Sequence, residues 1–216
     1  MLRIACLHTA ESNIAVFDAA LRTLVPGDTV MLRHAVRAEL LADAEAAGEV
    51  TPEIAGRTGE ALLALGGDAD AVILTCSTLG PVADSLAGTM PALRVDAALA
   101  REAVRDGGKV VALCTVETTL APTRALFEAA AATTGAAVEV RLVPGAWAAF
   151  RAGDRNRYLA LVAEAADAAL RGGATQVALA QASMAGAAGL ATALPAPLTS
   201  PAAGLRAAIA RATTGF

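Results

Sequence analysis

Cysteine is the residue type whose position in this sequence most strongly suggests chemistry. The sequence contains Cys6, Cys76 and Cys114, and a thiol can serve as a nucleophile, a base or an acid, depending on its protonation. Cys76 follows the apolar run AVILT and precedes Ser77 and Thr78, so it is predicted to lie where a buried strand enters a polar loop. We therefore predict that Cys76 is reactive. The alternative is an inert core residue, because free cysteine is often buried.

The other two cysteines are predicted to have structural roles. Cys6 lies inside the apolar run IACL and is interpreted as a core residue. Cys114 ends the run VVALC, and we interpret it as a small buried residue, with a position beside the site as the alternative. The cysteines are odd in number and lack the spacing of a metal site. No metal is therefore predicted.

Hydroxyl-rich loops follow two of the apolar runs. Side-chain hydroxyls and free backbone N–H groups at the start of a helix can bind a carboxylate, and capping of the helix itself is the alternative. The candidate binding residues in these loops are Thr9, Ser12, Asn13, Thr115, Thr118 and Thr119.

Four titratable residues lie near these loops or after a strand. His8 could move protons or make a structural hydrogen bond. Glu11 and Glu117 stand at equivalent places in the two loops and suit the dipole at a helix start, while Glu117 is also a candidate base. His34 is assigned no role.

The sequence repeats itself. LRIACLHTAESN is similar to GKVVALCTVETT at an offset of 106 residues, and DAVILTCSTLG is similar to TQVALAQASMA at an offset of 105, which places Gln181 opposite Cys76. MPALRVDAALA is similar to LPAPLTSPAAG at an offset of 104, which pairs Pro91 with Pro195. We infer two related halves.

Within each half, short apolar runs alternate with longer helical patterns, which is typical of a parallel sheet covered by helices. We predict an α/β fold of two pseudo-symmetric flavodoxin-like lobes, each with a parallel four-stranded sheet flanked by helices. The first lobe is predicted to hold residues 1–96 and 201–216, and the second residues 97–200. Ligands of such sheets bind beyond the carboxyl ends of the strands, so we expect a cleft between the lobes with Cys76 and Gln181 on opposite walls. The predicted strands are Arg3–Leu7, Thr29–Leu32, Ala71–Thr75, Ala92–Val95, Lys109–Cys114, Ala137–Leu142, Gln176–Ala180 and Ala196–Thr199.

Composition excludes several classes of protein. The formal net charge of −4 argues against nucleic acid as a partner, because a basic surface is needed to neutralise phosphates. No apolar run is long enough to cross a membrane, and the N-terminal run is too short for a signal peptide. We expect a soluble, cytoplasmic protein without a membrane partner.

Several short motifs together resemble one family. TCSTLG and AQASMA resemble the two cysteine motifs of the aspartate/glutamate/hydantoin racemase superfamily, LCTVETT resembles its carboxylate-binding loop, and RVDAALAREAV resembles the segment after its fourth strand. The resemblance implies an enzyme without cofactor or metal, an active site between two lobes, and a homodimer. In that family two thiols face each other across the substrate α-carbon, one removing a proton and the other returning one.

The sequence departs from this pattern at the second thiol. Gln181 occupies that position, followed by Ala182 and Ser183, and an amide can exchange hydrogen bonds but cannot serve as an acid or base. We predict one-thiol proton transfer next to the carboxylate of a small amino acid or related acid, with Cys76 as the catalytic residue. Further predicted substrate-binding residues are Ser77, Thr78, Gln181 and Ser183.

Three other functions remain open at this point. A single cysteine could serve a decarboxylase of a substituted malonate or a nucleophilic isomerase of a small diacid. A protein that binds small carboxylates without catalysis is the third. A serine hydrolase is disfavoured, because neither Ser77 nor Ser183 lies in a G-x-S-x-G motif.

Overall fold

The computed structural model describes residues 1–86 and 88–214. The chain divides into two compact units. The first unit contains residues 1–98 and the C-terminal segment from Pro201, and the second unit contains Leu99–Ser200. The chain therefore passes from the first unit to the second and back again.

The first unit contains a four-stranded parallel sheet in the order β2-β1-β3-β4. Helix α5 begins in this unit and continues into the second, and α9 returns from Ser200. Gly204 of α9 lies so close to Val95 that a Cβ at this glycine would overlap the valine side chain. The elements are β1 (Leu2–His8), α1 (Ser12–Leu24), β2 (Val30–Val36), α2 (Ala38–Ala47), α3 (Pro52–Gly66), β3 (Ala71–Leu74), α4 (Gly80–Leu86), β4 (Ala92–Arg94), α5 (Val95–Val104) and α9 (Ser200–Thr214).

The second unit contains a four-stranded parallel sheet in the order β6-β5-β7-β8. Its elements are β5 (Lys109–Cys114), a 3₁₀ helix (Glu117–Thr119), α6 (Leu120–Ala131), β6 (Ala137–Leu142), α7 (Ala146–Arg151), α8 (Arg155–Arg171), β7 (Gln176–Leu179), a second 3₁₀ helix (Ala182–Gly189) and β8 (Leu198–Thr199). Together, the two parallel sheets and their flanking helices confirm the predicted fold class.

The two sheets repeat the same strand register. Leu7 of β1 pairs with Leu74 of β3, and Leu113 of β5 pairs with Leu179 of β7. These pairs follow the offsets of the sequence repeat. At the fourth strand, Leu74 pairs with Arg94 and Leu179 with Thr199, so the structural offset there is one residue larger than the sequence match between Pro91 and Pro195 indicates.

The central strands are buried because both of their faces are covered. Ala5 and Leu7 pack with residues of α2, α3 and α4 in one apolar cluster. Because successive side chains of a strand point to opposite faces, Cys6 and His8 lie on the other face, where His8 contacts Phe17 of α1. This second face carries the polar residues described below.

The sequence prediction was wrong about the extent of β2. The predicted strand was Thr29–Leu32, whereas β2 spans Val30–Val36. As an edge strand it has no fully buried residue, and half-buried and exposed residues alternate over its first part. Polar Arg33 and His34 therefore break the continuous apolar run by which a buried strand is recognised. The start of α3 was predicted correctly, with the Thr51 hydroxyl accepting a hydrogen bond from the N–H of Ile54.

None of the helices within residues 1–86 and 88–214 has the length and apolar character needed to cross a membrane.

Candidate active site

Cys76 lies two residues beyond the end of β3, at the carboxyl edge of the first sheet. The preceding N–H of Thr75 donates to the Leu7 carbonyl at 3.0 Å, which extends the pairing with β1 up to the cysteine. Cys76 itself is 8% exposed and packs beside Leu79 in the apolar cluster of the first unit. Its thiol therefore lies at the boundary between the core and the sheet edge.

The turn after Cys76 is polar and accessible. Ser77 and Thr78 are both exposed, and the Ser77 carbonyl accepts a hydrogen bond from the N–H of Gly80, the first residue of α4, at 3.1 Å. The predicted binding residues Ser77 and Thr78 thus present polar groups directly beside Cys76.

The other two thiols are fully buried. Cys6 and Cys114 are both 0% exposed. Burial raises the pKa of Cys6 to about 12. Burial also raises the pKa of Cys114, although hydrogen bonds to Thr123 and Thr119 oppose this shift. Both residues therefore remain protonated thiols near neutral pH, and Cys114 offers no accessible second thiol.

The loop after β1 brings three predicted binding residues to the same sheet edge as Cys76. Thr9 is buried, Asn13 is half-buried, and Ser12 is exposed as the first residue of α1. The N-cap position belongs to Glu11, whose side chain makes no capping hydrogen bond. The polar side chains of this loop are thus not explained by helix capping.

In the second unit, Gln181 is bound directly to Thr115. Its Oε1 atom accepts one hydrogen bond from the Thr115 backbone N–H at 2.8 Å and another from the Thr115 hydroxyl at 2.7 Å. An N–H can only donate, so this pair fixes which end of the amide faces the threonine. The amide oxygen therefore occupies the Thr115 donors that the sequence assigned to a substrate carboxylate.

A buried tyrosine extends this polar group. Tyr158 of α8 is 1% exposed, and its hydroxyl lies 2.8 Å from Ser183 Oγ. Burial raises the pKa of Tyr158, while hydrogen bonds to Ser183 and Thr115 oppose the shift. Thr115, Tyr158, Ser183 and Gln181 thus form one connected polar cluster.

The remaining two predicted binding residues of the second unit lie outside that cluster. Thr118 is exposed in the first 3₁₀ helix. The Thr119 hydroxyl donates to the Val116 carbonyl at 2.6 Å, and Thr119 makes no capping hydrogen bond to α6. Thr119 therefore stabilises its own turn.

Arg94 lies at the carboxyl end of β4, the strand that pairs with β3. Its guanidinium donates two hydrogen bonds of 2.7 Å to Asp96 and one of 2.9 Å to Asp84 of α4. A side chain at Gly80 would overlap this guanidinium. Because Gly80 has no side chain, the start of α4, four residues after Cys76, can lie against the Arg94 guanidinium. Asp84 and Asp96 balance the positive charge of that guanidinium.

The polar face of the first sheet carries a continuous chain of side chains. His8 Nδ1 lies 2.9 Å from Thr75 Oγ1, and His8 Nε2 lies 2.8 Å from His34 Nδ1. His34 Nε2 in turn lies 3.1 Å from Asp18 Oδ1. Burial, and then the charge of His34, lowers the pKa of His8 to about 4. His8 is therefore a neutral, buried imidazole near neutral pH.

Comparison with solved structures assigns the fold. An aspartate racemase from Picrophilus torridus superposes with a TM-score of 0.74 at 14% identity, covering 99% of this chain and 95% of that one. An allantoin racemase from Klebsiella pneumoniae gives 0.65 at 16% identity, covering 100% and 89%. A glutamate racemase from Bacillus anthracis gives 0.61 at 14% identity, covering 99% and 81%.

The chain has the racemase fold. No model of a protein family matches the sequence, and comparison with curated proteins finds no match. The likeness to these structures is one of fold, and it extends over nearly the whole backbone. The opposing placement of Cys76 and Gln181 in one cleft stays a prediction.

Sequence reasoning missed residues whose side chains join segments that are distant in the sequence. Tyr158 is the single tyrosine of the chain, but nothing in the helical pattern of α8 indicates that it reaches Ser183. His34 was assigned no role, although β1 and β2 pair it directly with Cys6. A search for polar residues at equivalent positions on neighbouring strands could have found His8 and His34 together.

Proposed function

We propose that this chain is a racemase-type enzyme that moves a proton at the carbon next to a carboxylate, with Cys76 as its catalytic thiol. The observation that carries the proposal is the position of Cys76. Within a racemase fold it stands at the carboxyl edge of β3, and it has exposed surface where Cys6 and Cys114 have none. The proposed substrates are small amino acids or related acids.

The chemistry requires a base, an acid and a place for negative charge. The Cys76 thiolate would take the α-proton and become a thiol, while the electron pair of the broken C–H bond moves into the carboxylate to give an enediolate. Hydroxyl and N–H donors stabilise the charge that develops on the oxygen atoms. Ser77 and Thr78 adjoin the thiol in an exposed turn, which supports this role. Return of the proton from Cys76 completes the cycle.

One thiol has a stereochemical consequence. A base that removes and returns the proton on one face exchanges it with solvent but retains configuration. Gln181 does not supply the second acid, because an amide does not titrate near neutral pH and its oxygen already accepts two hydrogen bonds from Thr115. We therefore propose that the Cys76 thiol exchanges its proton with solvent before returning one, and that this exchange is faster than inversion, which needs a proton from water on the other face.

The proposed enzyme needs no cofactor, because every group in this scheme belongs to an amino-acid side chain or the backbone. We also propose that the chain forms a homodimer, by resemblance to the superfamily. Sedimentation at several protein concentrations tests the dimer without reference to activity.

The decisive experiment measures α-proton exchange in D₂O by NMR. A panel of small amino acids, hydantoins and substituted malonates is offered to the wild type, to Cys76→Ala and to Cys114→Ala as a matched control. We expect exchange in the wild type and in Cys114→Ala, and at least a hundredfold loss in Cys76→Ala, since general acid–base groups contribute about 10²- to 10⁴-fold.

Other results would redirect the assignment. Release of CO₂ from a malonate with loss in Cys76→Ala would indicate the decarboxylase instead. No turnover of any compound, together with saturable binding of a carboxylate, would contradict catalysis and leave a binding protein. Equal rates of exchange in the wild type and Cys76→Ala would remove Cys76 from the mechanism.

A further inference from the structure

Three side chains with metal-binding atoms meet on the polar face of the first sheet. Cys6 and His8 are two residues apart on β1 and therefore point to the same face. His34 on β2 pairs directly with Cys6 in the strand register. The Cys6 Sγ atom and the ligating nitrogens of the two histidines all lie within 4.8 Å of one another. One thiol and two imidazoles thus lie close together without sharing a sequence motif.

The two imidazoles are oriented as paired ligands. His8 Nε2 and His34 Nδ1 face each other at 2.8 Å. The outward nitrogen of His8 lies 2.9 Å from the Thr75 hydroxyl, and that of His34 lies 3.1 Å from the Asp18 carboxylate. Metal-bound histidines usually donate their other N–H to such an oxygen, which fixes the tautomer and the ring orientation. Both histidines have that partner here.

We propose that Cys6, His8 and His34 bind one divalent transition-metal ion of the zinc type. Sulfur and imidazole ligands suit Zn²⁺, Co²⁺ and related ions, whereas Mg²⁺ and Ca²⁺ require oxygen ligands. Three protein ligands leave one coordination position open, as in zinc sites that also bind water. The site is separate from Cys76, which belongs to the apolar cluster on the opposite face of the sheet.

Metal binding requires the distances between the ligand atoms to change. Metal bonds of about 2.0 Å to nitrogen and about 2.3 Å to sulfur separate tetrahedral ligand atoms by about 3.3 Å for two nitrogens and about 3.5 Å for nitrogen and sulfur. The two nitrogens, now 2.8 Å apart, must therefore open by about 0.5 Å. The thiol must rotate inward from a separation that is at most 4.8 Å.

The charges balance when the metal binds. The Cys6 S–H bond breaks and an S–metal bond forms, and the proton leaves to solvent. The metal also displaces the proton that the two facing imidazole nitrogens share, and this second proton leaves to solvent as well. A 2+ ion, one thiolate and two neutral imidazoles carry one net positive charge, which Asp18 beside His34 offsets. The buried site is thereby electrically neutral, which favours its occupation.

Cobalt titration tests the site directly. The full-length protein is stripped with a chelator and titrated with Co²⁺, and the sulfur-to-cobalt charge-transfer absorption is recorded together with the stoichiometry. We expect saturation at one ion per chain and displacement of Co²⁺ by Zn²⁺. Cys6→Ser should abolish the charge-transfer absorption, and Cys114→Ser, which removes an equally buried thiol, should preserve it.

The partners of the outward nitrogens give a second, milder test in case Cys6→Ser does not fold. Asp18→Asn should weaken cobalt binding by about 10- to 100-fold, as expected for loss of a hydrogen-bond partner of a ligand. His34→Gln should weaken it at least as much. The proposal is overturned if the wild type shows no saturable binding at one ion per chain, or if Cys6→Ser and His34→Gln bind as the wild type does. In that case the two imidazoles share only a proton.

Discussion

Gln181 and Thr115 are joined by two hydrogen bonds to a single oxygen atom. Gln181 Oε1 lies 2.8 Å from the Thr115 nitrogen and 2.7 Å from the Thr115 hydroxyl oxygen, and Thr115 is almost fully buried. The side chain at the repeat position of Cys76 is thereby anchored to the loop after β5. In the second unit the side chain at this position accepts a hydrogen bond from a backbone N–H, whereas in the first unit the same position carries a thiol.

Gln181→Ala is expected to lower the free energy of unfolding by about 1–3 kcal/mol, because it leaves the buried Thr115 N–H without an acceptor. Urea unfolding at neutral pH measures the change. Gln176→Ala is the matched control, since its amide nitrogen donates to the Val177 and Ala196 carbonyls at partly exposed sites. A loss no larger than that of the control would show that the Thr115 N–H finds another partner.

Thiol alkylation should separate Cys76 from the other cysteines. In the native protein we expect Cys76 to react first with iodoacetamide, because Cys6 and Cys114 have no exposed surface and burial raises the pKa of each. In denaturant all three should react at similar rates. Mass spectrometry of peptides after timed labelling gives the three rates. Faster native labelling of Cys114 than of Cys76 would contradict the order of exposure.

Gly80 and Arg94 should be strongly coupled. Gly80→Ala places a methyl group where the guanidinium lies and is expected to displace Arg94 from Asp84 and Asp96, at a cost of roughly 1–3 kcal/mol of stability. In an Arg94→Ala background the same change should be neutral or stabilising, since alanine favours helices by about 0.5–1 kcal/mol over glycine. A double-mutant cycle from urea unfolding measures the coupling. Additive effects would mean that the guanidinium moves aside freely.

Asp167 should make the free energy of unfolding decrease as the pH falls. Its carboxylate accepts hydrogen bonds from the hydroxyl and N–H of Thr192 and from the N–H of Ala193, and the Thr192 hydroxyl leads in lowering the pKa of Asp167. A lowered pKa in the folded state contributes stability above the unfolded pKa, near 3.9, and this is lost as pH falls through the folded value.

The measurement compares urea midpoints between neutral pH and pH 3 for the wild type and Asp167→Asn. We expect the wild type to lose more stability on acidification than the variant does. Glu164→Gln on the same helix serves as the control and should follow the wild type. Parallel acid curves for the wild type and Asp167→Asn would remove Asp167 as a source of the pH dependence.

The sequence predicted those parts of the fold that depend on local pattern. The central strands are continuous apolar runs, and the similarity of the β1 segment to the β5 segment predicts the duplication. The edge strand β2 was misjudged because polar Arg33 and His34 interrupt its apolar run. Half-buried strands carry a weaker signal than fully buried ones, and their polar residues resemble those of loops.

The sequence predicted where the candidate site residues lie along the chain, but not which of their side chains are in contact. Cys76 was expected at a strand end and lies there. The bond between Gln181 and Thr115 depends on side-chain direction across paired strands, and so does the meeting of His8 with His34. Register sets such contacts, and it is fixed by packing on both faces of a sheet rather than by the residues of either strand alone.

The discontinuity of the first unit has a consequence for biosynthesis. Its last helix, α9, is encoded after the whole of the second unit. On the ribosome, the second unit therefore has all of its residues before the first unit does, so the usual order of N-terminal folding first is reversed for completion of the two cores. Until α9 has been synthesised, Val95 lacks the helix that covers it at Gly204. The apolar side chain of Val95 is therefore exposed in the nascent chain during that time.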